Sequence, residues 1–164
     1  MKKQLTFYFI RHGKTVWNTE GLMQGHGDSP LTEEGVNGAK KTGVALKHIP
    51  FIAAYSSVLN RTIATASHII GERDIPLFHH QGLNEQYFGT WEGQLVDTLR
   101  EHPEFQQLIK DPANYKADND RDDKAHNNGQ SFYCKNCCND SAKAGHRTYR
   151  QVKFIDTHNQ RCTK

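Results

Sequence analysis

Along the first two thirds of the chain the spacing of apolar positions switches repeatedly between a strand period and a helix period. Leu5–Ile10 is a short β-rich run that gives way to a polar, glycine-containing stretch from Arg11 to Pro30. Thr32 is placed to cap a helix whose apolar side is Val36, Ala39, Gly43 and Leu46, at spacings of three and four residues. Phe51–Tyr55 predicts a second strand. Asn60–Ile70 predicts a second helix, with Ile63, Ala66 and Ile70 on one face and Gly71 as its stop. Ile75–Phe78 predicts a brief third strand, and Gln94–Arg100 and Glu104–Lys110 predict two short helices separated by Pro103. Strand and helix alternating in this order predict an α/β fold with a mainly parallel sheet flanked by helices. In such sheets ligands sit beyond the carboxyl ends of the strands, and Arg11 and His12 fall at that end of the first strand. From Asp111 to Asn128 the pattern fades into Asp, Asn and Lys, the composition of a solvated loop or a disordered segment. Gln151–Asp156 is the only further strand-like run.

Composition sharpens this picture in one respect. The 164 residues provide material for one core. A hydrophobic content of 35% and a mean hydropathy of −0.80 are polar for such a domain. A formal charge of +3 gives no reason to expect a nucleic-acid partner. With no apolar run long enough to span a bilayer, no membrane partner is expected either. Leu5–Ile10, closed by Arg11 and His12, is too short for the core of a secretory signal, so a cytoplasmic location is expected. Nothing in the sequence indicates an oligomeric state. The averages conceal a break, however. Residues 133–164 hold seven Lys/Arg against two Asp/Glu, whereas 1–132 hold 14 against 16. Cys134, Cys137, Cys138 and Cys162 all lie in the later part, and no leucine follows Leu108. The chain therefore reads as a globular portion, 1–132, and an atypical basic tail, 133–164.

Three constellations carry chemistry. Arg11-His12-Gly13-Lys14-Thr15-Val16-Trp17-Asn18 directly follows a strand and precedes a loop holding Gly21, Gln24, Gly25 and Gly27. Alone, His12 reads as readily as a strand cap bonded to a backbone carbonyl. Ser56-Ser57-Val58-Leu59-Asn60-Arg61-Thr62 is a second strand-to-helix junction, where an arginine can aim its planar fork at an anion. Leu83 to Gly93 places Glu85 among apolar and aromatic neighbours, an environment that raises a carboxyl pKa and suits a general acid.

Taken in order, Arg-His-Gly-x-Thr-x-x-Asn, Ser-x-Leu-x-Arg-Thr and Glu-x-x-x-Gly-x-Trp-Glu-Gly resemble the histidine phosphatase superfamily, which includes the cofactor-dependent phosphoglycerate mutases and many small phosphomonoesterases. The likeness runs from about Leu5 to about Phe132, where Gly129-Gln130-Ser131 resembles a weakened Gly-Glu-Ser element. It implies a phosphoglycerate mutase-like fold, here incomplete at its C-terminus. It also implies a phosphomonoesterase acting on a small phosphorylated substrate. His12 would be the nucleophile, with Arg11 and Arg61 holding the transferring group and Glu85 acting as proton donor. Asn18, Gln24 and backbone near Gly25 would add neutral donors to the phosphate. No metal and no cofactor are implied, because the arginines neutralise charge. Phosphoglycerate mutase-type phosphotransfer and a catalytically impaired family member are the alternatives.

The resemblance weakens at the end of the chain. The family carries a second histidine, in a Ser/Thr-His-Gly sequence after a late strand, and no such sequence is present. Thr157-His158-Asn159 is its nearest analogue, with asparagine in place of glycine; His146 follows no strand. Residues 133–164 read either as a divergent ending, with Cys134-x-x-Cys137, Cys138, His146 and Cys162 as a small metal site, or as the product of a reading frame lost near Ser131–Tyr133. The coincident shift in charge, leucine and cysteine favours the lost frame.

Overall fold

The computed structural model describes residues 5–111 and the strand 152–156; the expectations on His146, His158 and the four cysteines lie outside the described residues. Strand β1 (Thr6–Ile10) opens the fold, followed by helix α1 (Val16–Glu20), helix α2 (Glu33–Ala45), strand β2 (Phe51–Ser56), helix α3 (Asn60–Ile70) and strand β3 (Leu77–His79). Two single 3-10 turns (Gln81–Leu83 and Gly89–Trp91), the short helices α4 (Val96–Leu99) and α5 (Pro103–Lys110) and the strand β4 (Val152–Asp156) complete the described elements. None of the described helices is long and apolar enough to cross a membrane.

The strands form one sheet in the order β1-β4-β2-β3. β2 and β3 pair in parallel, while β4 runs antiparallel to both β1 and β2. β1, β2 and β3 therefore share one direction, and the expected α/β class with a mainly parallel strand direction holds. The exception is β4, the strand-like run Gln151–Asp156, which enters from beyond residue 132. Its Phe154 is in register with Tyr8 of β1 on one side and Ala54 of β2 on the other.

Side chains alternate across a strand, and β1 shows what that alternation serves. Tyr8 and Ile10 pack against a core of Ala39, Phe51, Ala54, Ala66, Ile69 and Ile70, whereas Phe7 and Phe9 stay 46% and 55% exposed. α2 begins as expected, with Thr32 Oγ1 accepting the Gly35 amide at 3.1 Å. Its packing face is narrower than the apolar spacing suggests, because Gly35 and Ala39 are buried and Val36 is only half-buried. At Gly35 and Gly43 a Cβ would run into the carbonyls of Lys14 and Ile69. Glycine at these two places lets α2 lie against the loop after β1 and against α3. In α3 the buried set is Arg61, Thr62, Thr65, Ala66, Ile69 and Ile70, with Ile63 half-buried. The first turns of that helix thus bury polar side chains.

A second cluster, Met23, Phe88, Trp91, Leu99 and Phe105, holds α4 and α5. Pro103 stands at the start of α5, where its missing N–H costs no hydrogen bond, rather than between two helices. The segment after α1 is stitched to this module by backbone bonds: Met23 N–H to Gln94 O at 2.8 Å, Gly93 N–H to Met23 O at 2.9 Å, and Val96 N–H to Gly21 O at 2.9 Å. This pairing brings Glu92 beside the loop that begins at Gln24.

Candidate active site

β1 delivers Arg11, His12 and Gly13 to the carboxyl edge of the sheet. His12 is 5% exposed, and its Nδ1 lies 2.7 Å from the Gly13 carbonyl. A carbonyl oxygen only accepts, so Nδ1 carries the proton of this bond. In the neutral ring the lone pair then sits on Nε2. The bond to backbone expected of a strand cap therefore also orients the ring and leaves Nε2 as the nitrogen with the lone pair. The Gly13 amide donates to Thr65 Oγ1 at 2.9 Å, and that hydroxyl donates to the Arg61 carbonyl at 2.7 Å. One threonine thus joins the histidine loop to the first turn of α3. A Cβ on Gly13 would press on the Gly35 carbonyl, which explains glycine there.

Arg61 is 1% exposed. Its Nη2 donates to Gly25 O at 2.6 Å, and its Nη1 donates to Gly27 O at 2.9 Å and to Asp28 Oδ1 at 3.1 Å. The Arg61 amide reaches Asp28 Oδ2 at 3.4 Å. The fork expected to face an anion organises the loop Gly25–Asp28.

Asn18 and Gln24 belong to the same neighbourhood but are engaged with protein groups. Thr15 and Asn18 form a capping box at α1, with the Thr15 amide donating to Asn18 Oδ1 at 3.1 Å and the Asn18 amide to Thr15 Oγ1 at 3.2 Å. Gln24, 1% exposed, accepts from Thr15 Oγ1 at 2.9 Å and from Asn18 Nδ2 at 3.4 Å, and donates to Ser29 Oγ at 3.1 Å. Gly25 is buried where a Cβ would strike the Glu92 carboxylate. Arg11 is exposed and borders an open hollow of about 280 Å³ that it shares with Gly13, Lys14, Glu34 and Thr65; His12 does not line it. Glu85 is half-buried after the turn Gln81–Leu83, with Oε1 accepting the Gln86 amide at 3.2 Å. The structure therefore links His12, Arg61, Gly25, Asn18 and Gln24 by short bonded paths, and reaches Arg11 and Glu85 through the backbone that flanks them.

Sequence reasoning misses four residues that build this arrangement: Thr65, Asp28, Ser29 and Glu92. Thr65 carries a faint signal, lying one turn after Arg61 on the face toward β1. Glu92 carries another, inside the Trp91-Glu92-Gly93 stretch.

The profile of the histidine phosphatase superfamily (branch 1) matches residues 7–132. The adenosylcobalamin/alpha-ribazole phosphatase of Salmonella typhimurium is 41% identical over 88 residues, which are 54% of this chain and 44% of that protein. The 2,3-bisphosphoglycerate-dependent phosphoglycerate mutase of Bartonella quintana is 38% identical over 108 residues, covering 63% of this chain and 52% of its own length. Among solved structures, Bacillus stearothermophilus YhfR superposes with a TM-score of 0.66 at 35% identity, over 71% of this chain and 59% of that one. The chain spans about half the length of the curated relatives it matches, 44% of the Salmonella typhimurium protein and 60% of the adenosylcobalamin/alpha-ribazole phosphatase of Escherichia coli. With the profile match covering all three sequence constellations, the chain belongs to the histidine phosphatase superfamily, branch 1.

Proposed function

We propose that this chain hydrolyses a small phosphomonoester of the cytoplasm through a phosphohistidine at Nε2 of His12. The observation that carries the reading is the bond from His12 Nδ1 to the Gly13 carbonyl at 2.7 Å, which directs the lone pair of a buried imidazole to Nε2. In the first step Nε2 attacks phosphorus, the P–O ester bond breaks, and Glu85 gives its proton to the departing oxygen. In the second, Glu85 takes a proton from water, whose oxygen attacks phosphorus and releases inorganic phosphate and free His12. Arg11 and Arg61 stabilise the anionic oxygens in both steps. All of these residues lie within the matched span 7–132. The names of relatives suggest alpha-ribazole 5′-phosphate as the first substrate to try.

The test is turnover of p-nitrophenyl phosphate, with acid-stable and acid-labile phosphoprotein separated after a rapid quench. Wild type is expected to release nitrophenol and to hold acid-labile, alkali-stable phosphate; His12→Ala is expected to do neither. Undiminished turnover in that variant would exclude the phosphohistidine. Added 3-phosphoglycerate distinguishes the runner-up: transfer of phosphate to it in preference to water would make the chain a phosphotransferase.

A further inference from the structure

Glu92 has no part in the reading above, yet its carboxylate is where two segments of the site meet. Oε1 accepts from the His26 amide at 2.9 Å and from the Phe88 amide at 2.9 Å, and Oε2 accepts from the Gly27 amide at 2.5 Å. His26 and Gly27 belong to the loop that Arg61 grips by its carbonyls, while Phe88 ends the segment that begins at Glu85. The centres of the His26 and Tyr87 rings lie 5.2 Å apart at the same junction.

We propose that Glu92 is a positioning residue: by accepting the amides of His26, Gly27 and Phe88 it locks the Gly25–Asp28 loop to the Glu85–Phe88 segment, so that Arg61 and Glu85 address one phosphoryl group. The inference rests on the phosphohistidine reading. A carboxylate is the side chain this junction requires. It offers two acceptor oxygens and no donor, and three N–H groups converge on it. Bonds to an ionised acceptor are also roughly twice as strong as neutral ones. Glutamine has the same shape but could accept on one side only, and its NH₂ would confront the Gly27 N–H. A further consequence is that the His26 and Gly27 amides are committed to Glu92. Of the loop's backbone donors, these two are therefore not directed at a phosphate.

The experiment compares the full chain with Glu92→Gln and Glu92→Ala in three measurements. These are amide exchange at His26, Gly27 and Phe88, titration with inorganic phosphate, and kcat and KM for p-nitrophenyl phosphate. For Glu92→Gln, exchange at Gly27 and the Kd for phosphate are each expected to rise at least about tenfold, as for one lost charge-assisted bond. KM is expected to rise with them while cooperative unfolding is retained. Glu92→Ala is expected to go further and to release His26 and Phe88 as well; if it does not fold, the isosteric glutamine variant decides alone. Wild-type exchange at Gly27 together with a wild-type phosphate Kd in Glu92→Gln overturns the proposal. So does a loss of activity that only tracks the folded fraction, with KM and Kd unmoved. A wild-type chain that neither turns over nor becomes phosphorylated at His12 defeats the phosphohistidine reading instead. Exchange and phosphate titration then still decide the role of Glu92.

Discussion

Arg61 and Glu92 hold Gly27 from its two sides: Arg61 Nη1 donates to its carbonyl at 2.9 Å, and Glu92 Oε2 accepts its amide at 2.5 Å. One loop is thus suspended between a buried cation from α3 and an anion from the far end of the Trp91 turn. A guanidinium that is 1% exposed needs a counter-charge, and Asp28 at 3.1 Å supplies it.

Asp28→Ala should therefore cost about 3 kcal/mol of folding stability, at the low end of what stranding a buried ion costs. The low end applies because the Asp28 side chain is 19% exposed and the Gly25 and Gly27 carbonyls still accept from Arg61. Asp28→Asn should fall between, since its oxygen can accept from Nη1 while its NH₂ cannot accept the Arg61 amide. Urea unfolding of the three proteins measures this. An alanine variant within experimental error of wild type would show that the ion pair contributes nothing.

Arg73 offers a stability test remote from the site. Its guanidinium donates to the carbonyls of Ile70 at 3.1 Å, Leu46 at 3.2 Å and Ile69 at 2.7 Å, and lies 5.9 Å from the centre of the Phe51 ring. It thereby satisfies carbonyls at the C-terminal ends of both α2 and α3 and favours their negative dipole ends. Arg73→Ala is expected to lower stability by about 2 kcal/mol, the scale of charge-assisted bonds lost from a half-buried group. Activity per folded molecule should not change. Lysine, with one point charge in place of a planar fork, should recover only part of the loss.

The legible parts of this protein are those set by local periodicity and local chemistry. Thr32 announces α2 because a cap acts within three residues, and Arg11-His12-Gly13 marks a candidate site because it follows a strand. The direction of β4 is not legible, since a period of two has the same appearance read either way. Nor is the partnership of Glu92, whose acceptor oxygens meet amides 65 and 66 positions away. An acid in a loop beside a tryptophan reads as solvated until the fold brings those amides to it. Asn18 and Gln24 read as donors to a phosphate because their type permits it. The structure shows the Asn18 side-chain NH₂ donating to Gln24 Oε1 and the Gln24 NH₂ donating to Ser29 Oγ, partners that composition does not encode.

Phosphatase activity should be indifferent to chelation. In the proposed mechanism the positive charge that offsets the phosphoryl oxygens comes from Arg11 and Arg61, where other phosphotransfer enzymes use Mg²⁺. Turnover of p-nitrophenyl phosphate after exhaustive dialysis against EDTA is expected to match the untreated protein. A full loss that Mg²⁺ or Zn²⁺ restores would assign the chain to another reaction class.

Thr65 provides the sharpest test of how α3 serves His12. Its hydroxyl accepts the Gly13 amide at 2.9 Å and donates to the Arg61 carbonyl at 2.7 Å, at a side chain 1% exposed. Thr65→Val keeps the shape and removes both bonds. The Gly13 N–H then loses its acceptor beneath the residue whose carbonyl orients His12. The unmet donor should cost about 1–3 kcal/mol of stability. The freed peptide should also let the imidazole leave the geometry that presents Nε2, lowering the rate of phosphoenzyme formation. Thr65→Ser restores the hydroxyl while giving up a methyl group, so it should recover that rate even if its stability remains reduced. Rapid-quench labelling of His12 beside thermal unfolding separates the two effects. If valine and serine variants label at the same rate and differ only in stability, Thr65 is a packing residue, and the orientation of His12 depends on its bond to Gly13 alone.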